Sequence, residues 1–189
     1  MACSPWQCDQ QVPGIASMST KRDQSALSDE KKLSLVSAYL DGYANVDELV
    51  GDAREEELDF RPPTPGSWTI SEILVHLLDA EIIGGTRIRA AIAQPGIFVV
   101  EWDEEAWCDG LAYSRQGGRA SLELAKRLRR FFGDGLEASL AKDWTRCFIQ
   151  HPSKGILDLY ALLDACERRI IFHLSLIRRN RREWFQSGR

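Results

Sequence analysis

No stretch of this sequence comes near the ~20 consecutive apolar residues that a membrane-spanning helix needs, so no span and no membrane partner are expected. Histidine is scarce, with three in 189 residues, and any imidazole site must draw on His76, His151 and His173. No HExxH, no CxxC and no glycine-rich phosphate loop occurs, which removes the short motifs of zinc proteases, disulfide exchange and P-loop nucleotide binding. The four-carboxylate signature of di-iron bundles is missing too. Five cysteines, odd in number and without framework spacing, read as reduced thiols in a cytoplasmic protein. A formal net charge of −4 gives no reason to expect nucleic acid or an anionic membrane surface as a partner.

What is present is an ordinary globular composition, 44% apolar and 28% charged, long enough for one domain with a real core. Residues 1–27 are polar, broken by Pro5, Pro13 and Gly14, and carry no helical period or apolar signal-peptide core. They read as a disordered tail, with Met18 an alternative start, ahead of a domain over residues 28–189.

The stretch GSWTISEILVHLLDAEII, Gly66 to Ile83, organises that domain. Thr69 and Glu72 form a capping box, and Trp68 with Ile73 a hydrophobic staple. Pro62, Pro63, Pro65 and Gly66 keep the approach out of helix. Apolar residues then recur at helical spacing from Ile70 to about Ala93, where Gln94-Pro95-Gly96 stops them. His76 takes one of these apolar-face positions; by itself, a histidine there is more often a core residue than a ligand.

A first helix is expected from Ser28 to Val50, with Val36, Tyr39, Leu40, Tyr43 and Val46 buried. DAREEELDFRPPTPG then reads as a long surface connection. The segment GIFVVEWDEEAWCDGLAYSRQGG opens like a strand that has nothing to pair with, followed by one helical turn. Its Trp102, Trp107 and Tyr113 suggest a lid packed across the end of a bundle. A third helix runs from Arg119 to Leu140, with a kink or break expected at Gly133 and Gly135. A fourth runs from Leu159 to Asn180 behind an Asp158 cap, its inward face Leu159, Leu162, Cys166, Ile170, His173 and Ile177. Arg178, Arg179, Arg181 and Arg182 read as its solvated C-terminal end. Four helices, no strand pair and long connections between helices one and two and between two and three predict an all-α bundle.

Four segments, GSWTISEILVHLLDAE, WDEEAWCDGLAYSRQ, HPSKGILDL and HLSLI, keep an order and spacing that resembles the DinB/YfiT-like superfamily of metal-dependent enzymes, over about Tyr39 to Ile177. The resemblance implies a four-helix bundle, often a homodimer. It implies a divalent ion held by three histidines, one on the second helix and an H-x-x-x-H pair on the fourth, and hydrolase or thiol-dependent transferase chemistry on a small molecule. His76 and His173 match two of the ligands. Four residues before His173 stands Arg169, a permanent cation with no lone pair for a metal. A shifted alignment would bring Cys166 into a Cys/His/His set, but the ungapped match from HPSKG selects Arg169.

Two neutral nitrogens beside a fixed positive charge make a poor site for a Zn²⁺ or Ni²⁺ ion. The alternative puts Arg169 in the ion's place, facing Asp79 and Glu72 of the second helix, in a metal-free cluster of His76, Asp79, Arg169 and His173 that is structural or anion-binding. Glu81 falls on another face of the helix, with packing or capping as its default role. His151 reads as a loop-ordering residue, and Cys108 and Cys147 as buried thiols rather than nucleophiles. Two functions therefore stand side by side: a DinB-like metal-dependent enzyme with a degenerate site, and a metal-free member that binds a small ligand or only assembles as a dimer.

Overall fold

Three of the four bundle helices begin on a side-chain cap carried by the sequence. The computed structural model describes residues 28–188, and the expected tail, residues 1–27, lies outside them. In chain order come α1 (Asp29–Asp41), α2 (Ala44–Val50), α3 (Glu55–Leu58), α4 (Ile70–Ala93), α5 (Glu104–Gly110) and α6 (Gly118–Glu137). A short hairpin follows, β1 (Phe148–His151) and β2 (Gly155–Asp158), and then α7 (Leu159–Gln186). Ser28 caps α1 through the Lys31 N–H, and Asp158 caps α7 through the Ala161 N–H at 2.8 Å. On α4 the capping box closes in both directions: Thr69 accepts the Glu72 N–H at 3.1 Å, and Glu72 accepts the Thr69 N–H at 2.8 Å. Trp68 and Ile73 are buried in one core cluster, as the staple requires.

The bundle is α1 with α2, α4, α6 and α7, and α4 packs most extensively along α6. The expected first helix is interrupted between α1 and α2. At the break the Arg129 guanidinium donates to the Tyr39 carbonyl at 3.0 Å, taking an acceptor that a continuing helix would use. Only glycine fits beside it, because a Cβ at Gly42 would lie 2.1 Å from Arg129 Nη1.

Helix α6, in contrast, runs without a break through Gly133 and Gly135. A Cβ at Gly133 would meet Leu40 Cδ2 at 2.3 Å, so this glycine serves the close approach of α1 rather than a kink.

The hairpin corrects the expectation of no strand pair. Phe148 faces Asp158 and His151 faces Gly155 in antiparallel register, with Gly155 at φ 72° where the turn requires it. The strand-like GIFVV also finds a partner: Phe98 bridges Gln150 in parallel, and the Gln150 N–H donates to the Ile97 carbonyl at 2.9 Å. That partner lies about fifty residues later in the chain, where a local pattern cannot reveal it.

Two core clusters divide the bundle along its length. One gathers Val46, Trp68, Ile73, Leu77, Ala125 and Ile170, and the other Val36, Ile88, Phe132, Leu136, Trp144 and Leu162. Helix α7 runs past the expected Asn180 end: the Asn180 amide donates to the Trp68 carbonyl at 2.8 Å, and Trp184 is buried. Arg178 and Arg182 are exposed as expected, but Arg181 is not a free solvated cation. It donates to Glu57 at 2.6 Å and pairs with Asp52 at 3.0 Å, fastening α7 to the α2–α3 connection.

Candidate functional site

At the α5 end of the bundle α4 supplies His76, fully buried, and α7 supplies His173, 3% exposed. Their ring centroids are 4.6 Å apart with the planes inclined at 34°. Thus the two sequence-predicted histidines do meet.

The lid lies on top of them. Asp103 caps α5 by accepting the Ala106 N–H at 3.0 Å, which fixes Trp102 just before the helix. The Trp102 indole stacks on the His76 ring at 5.2 Å and 10°, and Trp107 meets Trp102 edge-on at 5.8 Å. The Arg169 guanidinium carbon is 5.1 Å from the centroid of Trp102, a cation–π contact. Tyr113 closes the other side, its ring 6.2 Å from that of Trp68.

Arg169 faces neither carboxylate expected for it. Asp79 accepts the Tyr113 hydroxyl at 2.5 Å, and Glu72 is spent on the capping box and on Arg61, 2.5 Å away. The partner is Glu104 of α5, with Oε1 3.5 Å from Arg169 Nη2 and Oε2 3.8 Å from His76 Nε2. Nothing in the sequence marks Glu104, because its place in the cluster exists only once the lid has folded over the bundle. Nor does Cys166 form a Cys/His/His set: its sulfur faces Gly84, two turns of α4 beyond His76. Burial pushes the Cys166 and Cys108 thiols each up to about 11, unlike activated nucleophiles. His151 ends β1, where Nδ1 takes the Ser153 N–H at 3.4 Å and orders the turn.

Both site histidines are held neutral. Burial, then His173, then Arg169 push His76 well below the usual histidine range. Burial and Arg169 lower His173 to about 4 against the opposing pull of its hydrogen bond to the Arg169 carbonyl. That carbonyl lies 2.8 Å from His173 Nδ1 and can only accept, so Nδ1 carries the proton and Nε2 keeps its lone pair. His76 differs: among the described residues neither of its ring nitrogens has a hydrogen-bond partner, and neither does the buried Nε1 of Trp102.

These residues do not fit an ion held by three histidines. They offer two neutral imidazoles, and the third position carries a cation already paired with the nearest carboxylate. Among the described residues no three His, Cys, Asp or Glu side chains form a group that could hold a metal ion.

Farther along α4 lies a second charged centre that sequence reasoning missed. Glu81 accepts Arg129 Nη2 at 2.7 Å and Nε at 3.0 Å, and the Tyr39 hydroxyl also donates to Glu81. The guanidinium is sandwiched between the rings of Tyr39 and Tyr43 at 4.4 and 4.5 Å. Its signal was available: Arg129 sits on the apolar stripe of α6, between Ala125 and Phe132. A groove of about 260 Å³ between α1 and α7 borders Arg129, and neither histidine lines it.

Known proteins resemble this chain in sequence and fold. Residues 38–177 match the family model of the DinB superfamily. A protein of Oceanobacillus iheyensis, named as a candidate metal-dependent hydrolase, is 26% identical over 108 residues, 57% of this chain and 61% of that protein. The match thus spans about three fifths of that relative's length. The solved structure of YfiT from Bacillus subtilis, described as a probable metal-dependent hydrolase with an unusual four-helix bundle topology, superposes with a TM-score of 0.74. That alignment covers 85% of this chain and 91% of YfiT at 21% identity, a likeness of fold.

Proposed function

The chain belongs to the DinB superfamily, and from that premise we propose that it binds a small molecule bearing a carboxylate or phosphate at the His76–Arg169–Glu104 cluster, without the three-histidine ion. The observation that carries this reading is the set of unpartnered buried atoms at one spot, both nitrogens of His76 and Nε1 of Trp102. An unmet buried polar group costs about 1–3 kcal/mol, so three together mark a place where a polar ligand would be stabilising. Neutral His76 has one N–H to give, Trp102 has another, and Arg169 adds charge. Arg169 is held by Glu104 only at 3.5 Å, with the two side chains 19% and 23% exposed, so an oxyanion can compete for it. Trp102 covers His76, and entry requires the α5 lid to lift.

The test is a thermal-shift and tryptophan-fluorescence titration with succinate and with inorganic phosphate. Either anion is expected to raise the melting temperature of the wild type and to leave Arg169→Gln unmoved. Equal behaviour of the two proteins with both anions would contradict the proposal.

A second reading, metal-dependent hydrolase or thiol-transferase chemistry, has one observation in its favour. The His173 Nδ1–H on a backbone carbonyl is the orientation that metal-bound histidines commonly use, and the descriptions of the relatives point the same way. A homodimer is part of the proposal on the family resemblance, and analytical ultracentrifugation checks it.

A further inference from the structure

We infer that the metal centre of this bundle is latent and one side chain short: Arg169 displaces the ion, Glu104 neutralises Arg169, and Arg169→His would give a site for one divalent ion to which Glu104 adds a ligand.

The position is right for an imidazole. Residue 169 lies one helical turn before His173 on the same face of α7, so two imidazoles there would converge, with His76 opposite. The carbonyl that orients His173 belongs to the backbone of residue 169 and survives any substitution of its side chain. Without the guanidinium, Glu104 loses its cation and is left with Oε2 3.8 Å from His76 Nε2, where a carboxylate can join two or three imidazoles on a metal. The same guanidinium explains why the wild type should not hold the ion. A fixed positive charge borders the site, and the Glu104 carboxylate is engaged with it. Losing the cation–π contact of Arg169 leaves Trp102 still stacked on His76.

The experiment titrates Co²⁺ and Zn²⁺ into wild type, His76→Ala, Arg169→His, Arg169→Ala and the double variants of Arg169→His with His76→Ala and with Glu104→Gln. Calorimetry, elemental analysis after dialysis and the visible spectrum of Co²⁺ are the readouts. Wild type and H76A are expected to hold no stoichiometric ion. R169H should hold one per chain, with the ligand-field bands of a protein-bound cobalt. R169A, which removes the competing cation without adding a ligand, should bind more weakly than R169H yet above wild type. Glu104→Gln should weaken the R169H site by roughly 10- to 100-fold, as loss of a supporting metal-site group does, and His76→Ala should abolish it.

One ion in the wild type that H76A loses would overturn the inference. So would an R169H protein that is folded and binds none, or, if R169H does not fold, an R169A protein no different from wild type. The inference rests on the metal-free reading above, and the failures separate. An ion in the wild type sinks both, an empty R169H sinks only this one, and indifference to anions sinks only the other.

Discussion

Arg129 and Arg169 both meet carboxylates inside this bundle, and they do so very differently. Arg129 is 3% exposed, bonded twice to Glu81 and once to the Tyr39 carbonyl, and covered on both faces by tyrosine rings. Every polar group there has a partner, and burial, with Glu81 second, holds the Tyr39 and Tyr43 phenols far above their usual range. Arg169 has one long pairing with Glu104, beside a buried histidine whose ring nitrogens have no hydrogen-bond partner among the described residues. A saturated network fixes a fold, whereas the unsaturated one in the same molecule is where the proposed ligand would be stabilising.

The comparison breaks most readily at Arg129. Arg129→Ala leaves Glu81 buried and uncompensated and should cost about 3–5 kcal/mol, while Arg169→Ala, at a partly exposed pair joined by one long contact, should cost under about 1 kcal/mol. Urea melts of the two variants giving equal losses would remove the distinction.

Trp68→Ala probes the wall of the histidine centre, since this ring packs at 5.1 Å from His76 and also staples α4. A loss of ~3 kcal/mol is expected for so buried a ring.

Acid should act on the histidine centre. The folded pKa of His173, about 4, lies below its unfolded value, so between about 6.5 and 4 the unfolded chain binds more protons. The stability that neutral His173 contributes is therefore complete above about 6.5 and shrinks as pH falls, by about 2 kcal/mol at pH 5. His76 is shifted the same way and adds to the slope. Melts of His173→Gln should show a flatter dependence, and an unchanged slope would place the acid sensitivity elsewhere.

The cap ranks below the ring: Thr69→Ala should cost about 1 kcal/mol, less than Trp68→Ala, with the reverse order in denaturant melts contradicting the staple.

How much of this was legible depended on distance along the chain. The start of α4 could be read because Thr69, Glu72 and the prolines before them act on one another within a few residues. The histidine pair was legible through helical spacing and family likeness together. Arg129 left a trace, a charge on an apolar stripe, though its partner Glu81 seemed to face away. Glu104 left none, since nothing near it in sequence tells that α5 will lay it between Arg169 and His76. The hairpin was equally hidden, its strands four residues each and its third edge supplied by Phe98 from far upstream.

The account stands on two neutral imidazoles facing Arg169 rather than an ion, and nitrogen-15 NMR of the histidine rings reads that directly. At neutral pH His173 should show a protonated Nδ1 and a bare Nε2, His76 should be neutral, and one equivalent of Zn²⁺ should leave both unchanged. Movement of the His173 Nε2 and His76 resonances to metal-bound positions on adding that equivalent would contradict it.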